Sequence, residues 1–478
     1  MNSKTTKLGL YIIISFLIFI FGVFFSELTE NLQPLIISFC FFYVITVLCT
    51  IKEFGLVSLY SVYIYTSAFF MYDCLLLTLI YPDKNFLEQS FPIRYVFSEN
   101  VGKIFIICCF LASFTSHISY LLYRNSNKPS VVSYGYNINL CKISLIIFFV
   151  ELFPLIYKIY LQLLFVRNQG FSAIYTKAFL EMKYPIWCAG AFFIFNSSYY
   201  LFLTSNPSRK KFIVITTIYT MIALFNGLKG GRGSIIGLLI VTIFLFSKKF
   251  NFKFNLTKLI SFAILIFILI AFLTNIRKSY EKDNDAAVTS KIKVSKVIEE
   301  ILWDQTTSRA VPLLIIRGGL DNHPYPFVFS PFTSKITSYI YQYAPATKES
   351  IRYSNDPSIV LISNVQMYAA LTGRGYGSAF LGEAYECFGY IGIIFFYSLL
   401  SCVIGYLDLN GINVKPIYVP ICYSLITTIP CSPRKEIFQF VKYNMNGIIV
   451  CYILFLFIHI FLYSVKGNKR ECTNTIIL

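Results

Sequence analysis

Residues 371–392 read LTGRGYGSAFLGEAYECFGYIG and run directly into IIFFYSLLSCVIGYL at 393–407. The second stretch carries no charge and belongs to an apolar run near 382 to 405, long enough to cross a bilayer as a helix. The first stretch loads the start of that helix with glycines, Arg374, Glu383 and Glu386. Carboxylates at a lipid boundary are costly enough to imply a role. The fold is therefore read from the apolar run, and the function from its polar start.

The rest of the chain agrees with a lipid environment. Of its 478 residues, 56% are hydrophobic, 18% aromatic and only 13% charged, and the mean hydropathy is +0.65. A soluble chain of this length needs more polar surface, whereas a bundle in hydrocarbon is apolar outside as well as inside. The formal charge of +18 lies in short clusters between apolar runs, with no basic helix and no aromatic platform, so nucleic acid is not an expected partner. The thirteen cysteines are scattered, mostly inside apolar runs, with no C-x-x-C spacing. They read as small apolar residues and suggest neither a disulfide framework nor a metal site.

Windows of about 17 to 25 apolar residues fall near 8 to 25, 32 to 50, 55 to 80, 101 to 123, 143 to 165, 186 to 205, 212 to 228, 234 to 246, 259 to 275, 382 to 405, 417 to 431 and 441 to 465. The expected fold is an all-α polytopic membrane protein of about 12 transmembrane helices. The first window has no small-residue cleavage site after it and is read as a retained span rather than a signal peptide.

The charges supply an orientation. Lys4 and Lys7, Lys52, the Arg124, Lys128 and Lys142 group, Arg209 to Lys211, Lys248 to Lys258, Lys415 and the terminal Lys466, Lys469 and Arg470 fall in alternate connections. Basic residues in short loops accumulate on the cytoplasmic side, which places both termini there. The opposite side then holds one long loop, 276–381, inserted into a single membrane domain spanning 1–478. A connection of that length implies a functional element. Within it Val294, Val297, Ile298, Ile301 and Leu302 follow the spacing of an amphipathic helix, able to lie on the membrane or to pack on the rest of the loop.

Three arginine-bearing motifs fall on that same face: LKGGRGS with Lys229 and Arg232, TGRGYGS with Arg374, and SPRKE with Arg434 and Lys435. Guanidinium groups bind phosphate through paired N–H donors. The glycines of the first two motifs, among them Gly231 and Gly233 and then Gly375 and Gly377, let backbone N–H groups approach an anion at a helix start. The competing interpretation is a tight turn whose arginine reaches for lipid headgroups. Downstream of Arg374, Glu383, Glu386 and Tyr390 share a helical face at i, i+3 and i+7, with Gly382 and Gly389 as a small-residue seam beside it. Glu383 is a candidate to position or deprotonate a sugar hydroxyl, or to pair with an arginine that holds the loop. Asp73, Glu151 and Lys158 are further charges inside apolar runs. His117 and His459 read as packed residues, which leaves His323 as the histidine of the long loop.

The segment GRGYGSAFLGEAYECFGYIGIIFF resembles the C-terminal signature of the O-antigen polysaccharide polymerase (Wzy) family, and NGLKGGRGSIIGLLI looks like that family's turn between two central spans. The loop stretch DNHPYPFVFSPFTSKITSYI does not follow the family's usual sequence. The resemblance implies a GT-C-like membrane glycosyltransferase of the bacterial plasma (inner) membrane, with its active face periplasmic or extracellular. Its substrate would be polyprenyl (undecaprenyl) pyrophosphate-linked oligosaccharide. The chain offers no outward His/Cys cluster for a metal, so arginines are expected to stabilise the leaving pyrophosphate, with no cofactor or metal. Arg232, Arg374, Glu383 and Arg434 are then the expected catalytic residues. Lys229, Gly231, Gly233, Gly375, Tyr376, Gly377, Ser378, Tyr385 and Lys435 are the expected substrate-binding residues. Membrane lipid, a chain-length regulator and a flippase are the implied partners. An O-antigen ligase and a lipid-linked oligosaccharide flippase are the alternatives, the long loop counting against the flippase, and a purely structural membrane protein is a third.

Overall fold

The computed structural model describes residues 3–81, 85–89, 95–129, 135, 137–170, 179, 182–188, 190–229, 233–250, 255, 257, 261, 264, 268, 272, 309–318, 326–333, 356–367 and 377–466. Among these the regular structure is helical apart from a two-residue antiparallel ladder, Glu88–Gln89 with Tyr95–Val96. In lipid a helix satisfies every backbone group within one segment, which is why the apolar runs take this form.

The helices are α1 (Ser3–Thr29), α2 (Gln33–Phe54), α3 (Leu59–Ser67), α4 (Asp73–Ile80), α5 (Glu99–Ser126), α6 (Ile138–Gln169), α7 (Ala191–Thr204), α8 (Arg209–Gly227) and α9 (Gly233–Phe250). They continue with α10 (Ala310–Arg317), α11 (Pro357–Val365), α12 (Phe380–Asn410), α13 (Val419–Thr428), α14 (Gln439–Tyr443) and α15 (Met445–Lys466). A π-helical turn, Ala68–Tyr72, joins α3 to α4.

Seven segments among the described residues are long and apolar enough to cross a membrane, namely Leu8–Thr29, Gln33–Phe54, Leu59–Ile80, Glu99–Ser126, Ile138–Gln169, Ile186–Thr204 and Phe380–Asn410. The protein is thus a multi-pass membrane protein. Their outward surfaces are apolar, as hydrocarbon contact requires. Of the few described residues near 259 to 275, Ile264, Ile268 and Phe272 are helical and more than half exposed at i, i+4 and i+8.

Two groups of helices form the bundle. In the first, α12 lies along α5, which also meets α2, and α1 packs on α2. In the second, α7 packs against α6, α13 and α15, while α9 packs on α8. The 3-10 turn Ile429–Arg434 touches α3, α9, α12 and α13 and so joins the groups. Stacked rings fill both interiors: Phe19 on Phe110 at 4.0 Å, Tyr60 on Tyr120 at 4.1 Å and Tyr199 on Tyr219 at 4.0 Å. Buried hydroxyls return to helix carbonyls four residues back, as Thr46 does to Phe42 and Thr50 to Thr46, which satisfies them without water.

One end of the bundle is locked by a charge. Asp408 on α12 is fully buried and accepts from the Leu59 backbone N–H at 3.1 Å, from the Tyr120 hydroxyl, and from Arg124 at 3.3 Å, with Lys248 at 3.2 Å. These partners come from α3, α5 and α9. Lys248 near the end of α9 thus meets Asp408 near the end of α12.

The long helix α12 is broken at Phe388 and Gly389, and Gly389 adopts φ +60°, a conformation glycine enters without a Cβ penalty. The break corrects the expected face. Glu383 and Glu386 precede it and Tyr390 follows it, so the i+7 relation of an unbroken helix does not hold. At Gly392 a Cβ would overlap the Ala384 carbonyl, so the chain can turn back there only with glycine. Gly382 does form a seam: a Cβ there would sit 2.8 Å from Ile315 and 3.3 Å from the Pro312 backbone of α10.

Candidate functional site

Glu383 lies in the first turn of α12 and is fully buried. One carboxylate oxygen accepts the Ile437 backbone N–H at 2.9 Å and the other accepts the Ser378 hydroxyl. A single side chain thus joins the last residue of the Arg374 motif to the segment that follows Arg434 and Lys435. Glu386, one turn on, accepts the Phe327 backbone N–H at 3.0 Å and holds the segment Pro326–Thr333 on the same end of the bundle. Both carboxylates clamp backbone, a use that spacing along a helix does not reveal.

The SPRKE segment is more buried than an external loop would be. Pro430 and Pro433 remove two backbone donors, so the chain turns as a 3-10 helix instead of extending α13. Ser432, Pro433 and Glu436 are buried, while Arg434 and Lys435 are half-buried. Between this segment, α12 and α13 lies an open cleft. Its walls are Phe380, Phe396, Leu399, Leu400, Val403, Leu425, Ile429 and Phe438, and its polar lining comes from Thr428, Ser432, Glu436 and Gln439. The side-chain carbonyl of Gln439 is buried there with no hydrogen-bond partner among the described residues.

Lys229 follows α8 and donates to the Gln162 side-chain carbonyl at 2.6 Å. Burial, with Lys158 nearby, lowers its ammonium from the ordinary 10.5 to about 8. Gly233 opens α9, and Gly377 adopts φ +83° just before Ser378, a backbone that favours glycine. Tyr385 is half-buried, its ring edge-on to Tyr390 at 5.7 Å. Gly231, Arg232, Arg374, Gly375 and Tyr376 lie outside the described residues, as do His323 and the segment 294–302.

The remaining sequence candidates separate clearly. His117 is packed between Tyr11 and Tyr60, with ring centroids at 4.5 Å and 5.8 Å. Among the described residues neither buried carboxylate oxygen of Asp73 has a hydrogen bond, but its charge is felt by Arg309. Arg309, which no motif marks, is 3% exposed and donates to the Phe86 and Glu88 carbonyls, each at 3.0 Å. It binds the middle of the long loop to the connection between α4 and α5. An isolated arginine in a polar loop carries no pattern, and neither does Asp408 at the end of an apolar run; each is recognised only by its partners. Among the described residues, no group of His, Cys, Asp and Glu could hold a metal ion.

The sequence model of the O-antigen polysaccharide polymerase Wzy family matches residues 10–466. No curated protein and no solved structure matches the chain. With nearly its whole length inside the match, the chain belongs to the O-antigen polysaccharide polymerase Wzy family, and it is a membrane enzyme of the polymerase type acting in polysaccharide biosynthesis.

Proposed function

We propose that this polymerase joins polyprenyl pyrophosphate-linked oligosaccharide repeat units at the outer face of the bacterial plasma membrane. In this reading about twelve spans form a GT-C-like bundle with both termini cytoplasmic. The growing glycan leaves its carrier for the non-reducing end of the next lipid-linked unit, and polyprenyl pyrophosphate is released. Arg232 and Arg374 meet the charge that develops on the pyrophosphate, as fixed cations do when aimed at a leaving group.

The observation that carries the reading is the Glu383 clamp. It holds the end of the Arg374 motif against the Arg434 and Lys435 segment, beside a cleft whose wall is apolar along α12 and polar at Glu436 and Gln439. The apolar wall suits an isoprenoid chain, and the polar head would lie toward the adjoining segment that carries Arg434 and Lys435, since the only described charged residue lining the cleft itself is Glu436. Glu383 acts in it chiefly by position, since the Ile437 N–H and the Ser378 hydroxyl engage its oxygens.

Electrophoresis of surface glycan from strains with and without the gene tests the proposal. Loss of long chains with retention of single repeat units attached to their acceptor supports polymerisation. Loss of all attached glycan would instead identify a ligase.

A further inference from the structure

The polar side chains that line the cleft between α12, α13 and the Ile429–Arg434 turn share one character. The Thr428 hydroxyl donates to the Leu425 carbonyl at 2.9 Å, and the Ser432 hydroxyl donates to the Ile429 carbonyl at 2.7 Å. Each has spent its single hydrogen on its own turn of helix, so lone pairs are the capacity it has left. Glu436 adds a carboxylate, which only accepts when ionised. The side-chain carbonyl of Gln439 is buried with no hydrogen-bond partner among the described residues. Against these acceptors the donor side chains of the described lining reduce to the Gln439 amide NH2, since no lysine, arginine or histidine is among them.

Such a lining selects its occupant by the hydrogens it brings. A phosphate brings lone pairs and negative charge, and inside the cleft it would face Glu436 without a cation. An isoprenoid chain suits the apolar wall but leaves the buried Gln439 carbonyl without a donor, which is costly. A sugar meets both demands, with hydroxyl or amide hydrogens for the oxygens and C–H faces for Phe380 and Phe438. A mostly apolar wall with a few placed polar groups is also the usual form of a small-molecule site. We propose that Gln439, with Thr428 and Ser432 beside it, is a specificity-determining contact for a sugar of the lipid-linked repeat unit, accepting a hydroxyl or N–H hydrogen through its side-chain carbonyl. The proposal rests on the polymerase reading and deepens it, because it separates the contact that reads the sugar from the adjoining Arg434 and Lys435 segment that faces the phosphate.

The test is native mass spectrometry of the full chain in detergent with two probes: the lipid-linked repeat unit extracted from a strain lacking the gene, and undecaprenyl pyrophosphate without sugar. Wild type is compared with Gln439→Leu, which removes the acceptor at similar size, and with Gln439→Glu, which keeps it. The leucine variant should bind the repeat unit at least about tenfold more weakly, a loss of about 1.4 kcal/mol, while its affinity for the sugar-free carrier stays that of wild type. The glutamate variant should retain most of the affinity for the repeat unit. Thermal unfolding of the unliganded leucine variant should be unchanged or higher, because a buried oxygen without a donor has been removed. Unchanged affinity of the leucine variant for the repeat unit overturns the sugar contact, as does an equal loss for both probes or an equal loss in the glutamate variant. A lowered unfolding temperature overturns it too, by making Gln439 a structural residue. Failure of wild type to bind either probe would overturn the polymerase reading and the contact with it, whereas the other adverse results overturn the contact alone.

Discussion

Replacing Glu383 with glutamine keeps the size of the side chain and removes one of its two strong acceptors. In the native protein the carboxylate takes the Ile437 N–H at 2.9 Å and the Ser378 hydroxyl, in a fully buried position. A glutamine presents one carbonyl oxygen and one NH2, so one of those donors faces another donor. The Ser378 hydroxyl can rotate away, whereas the Ile437 N–H is fixed by the backbone. A buried donor left unsatisfied costs about 1–3 kcal/mol, so the tether between the two segments should open about 5- to 150-fold more readily. Hydrogen–deuterium exchange on peptides covering 435–440 should rise by that order in E383Q, while peptides near Asp408 stay unchanged. Surface glycan should shorten in parallel at equal protein abundance. Normal exchange together with normal chain length would refute the clamp; normal exchange with abolished polymerisation would instead make Glu383 a proton carrier.

At the other end, D408A removes the acceptor shared by Arg124, Lys248, Tyr120 and the Leu59 N–H. Breaking a buried pair costs about 3–5 kcal/mol, and a marked fall in unfolding temperature and membrane abundance should follow, checked by fluorescence-detected size exclusion on heating. Lys229 supplies a pH dependence, since burial and Lys158 lower its ammonium to about 8. Its charged form therefore penalises the unliganded fold below about pH 8, and stability should rise as pH climbs from there toward the ordinary value of 10.5. Unfolding temperatures measured from pH 7 to pH 10 check this, and a flat profile would refute it. Arg232→Ala and Arg374→Ala should each reduce glycan to single repeat units with the protein still inserted, a loss of about 2 to 5 kcal/mol per charged contact, and lysine should rescue only partly; long chains in both alanine variants would exclude the pyrophosphate role. Cysteines at Ser234 and Ser378 should react with a membrane-impermeant reagent from the same side, and opposite sides would overturn the topology.

How much of this was legible in the chain differs from residue to residue. The apolar windows were readable because transfer into hydrocarbon is a local property: a run such as 393–407 belongs in lipid wherever its neighbours lie, and the structure makes it part of α12. Glu383 stood out because a carboxylate at the head of such a run needs a reason. What it touches did not, since Ile437 lies 54 residues away and reaches it only because two prolines turn the chain at 429–434. The expected alignment of Tyr390 with Glu383 failed because Gly389 leaves the helix, a choice local periodicity does not express.

The sequence by itself determined that this chain lives in a membrane as a helical bundle and belongs with the polymerases, because hydropathy and a few glycine- and charge-bearing motifs are properties of contiguous residues. Only the tertiary structure decided which charges meet. Asp408 with Leu59, Tyr120, Arg124 and Lys248, Arg309 with the carbonyls of Phe86 and Glu88, and Lys229 with Gln162 beside Lys158 are pairings across helices far apart in the chain. A helix that is apolar on every face carries little in its own pattern to say which neighbour it will pack against.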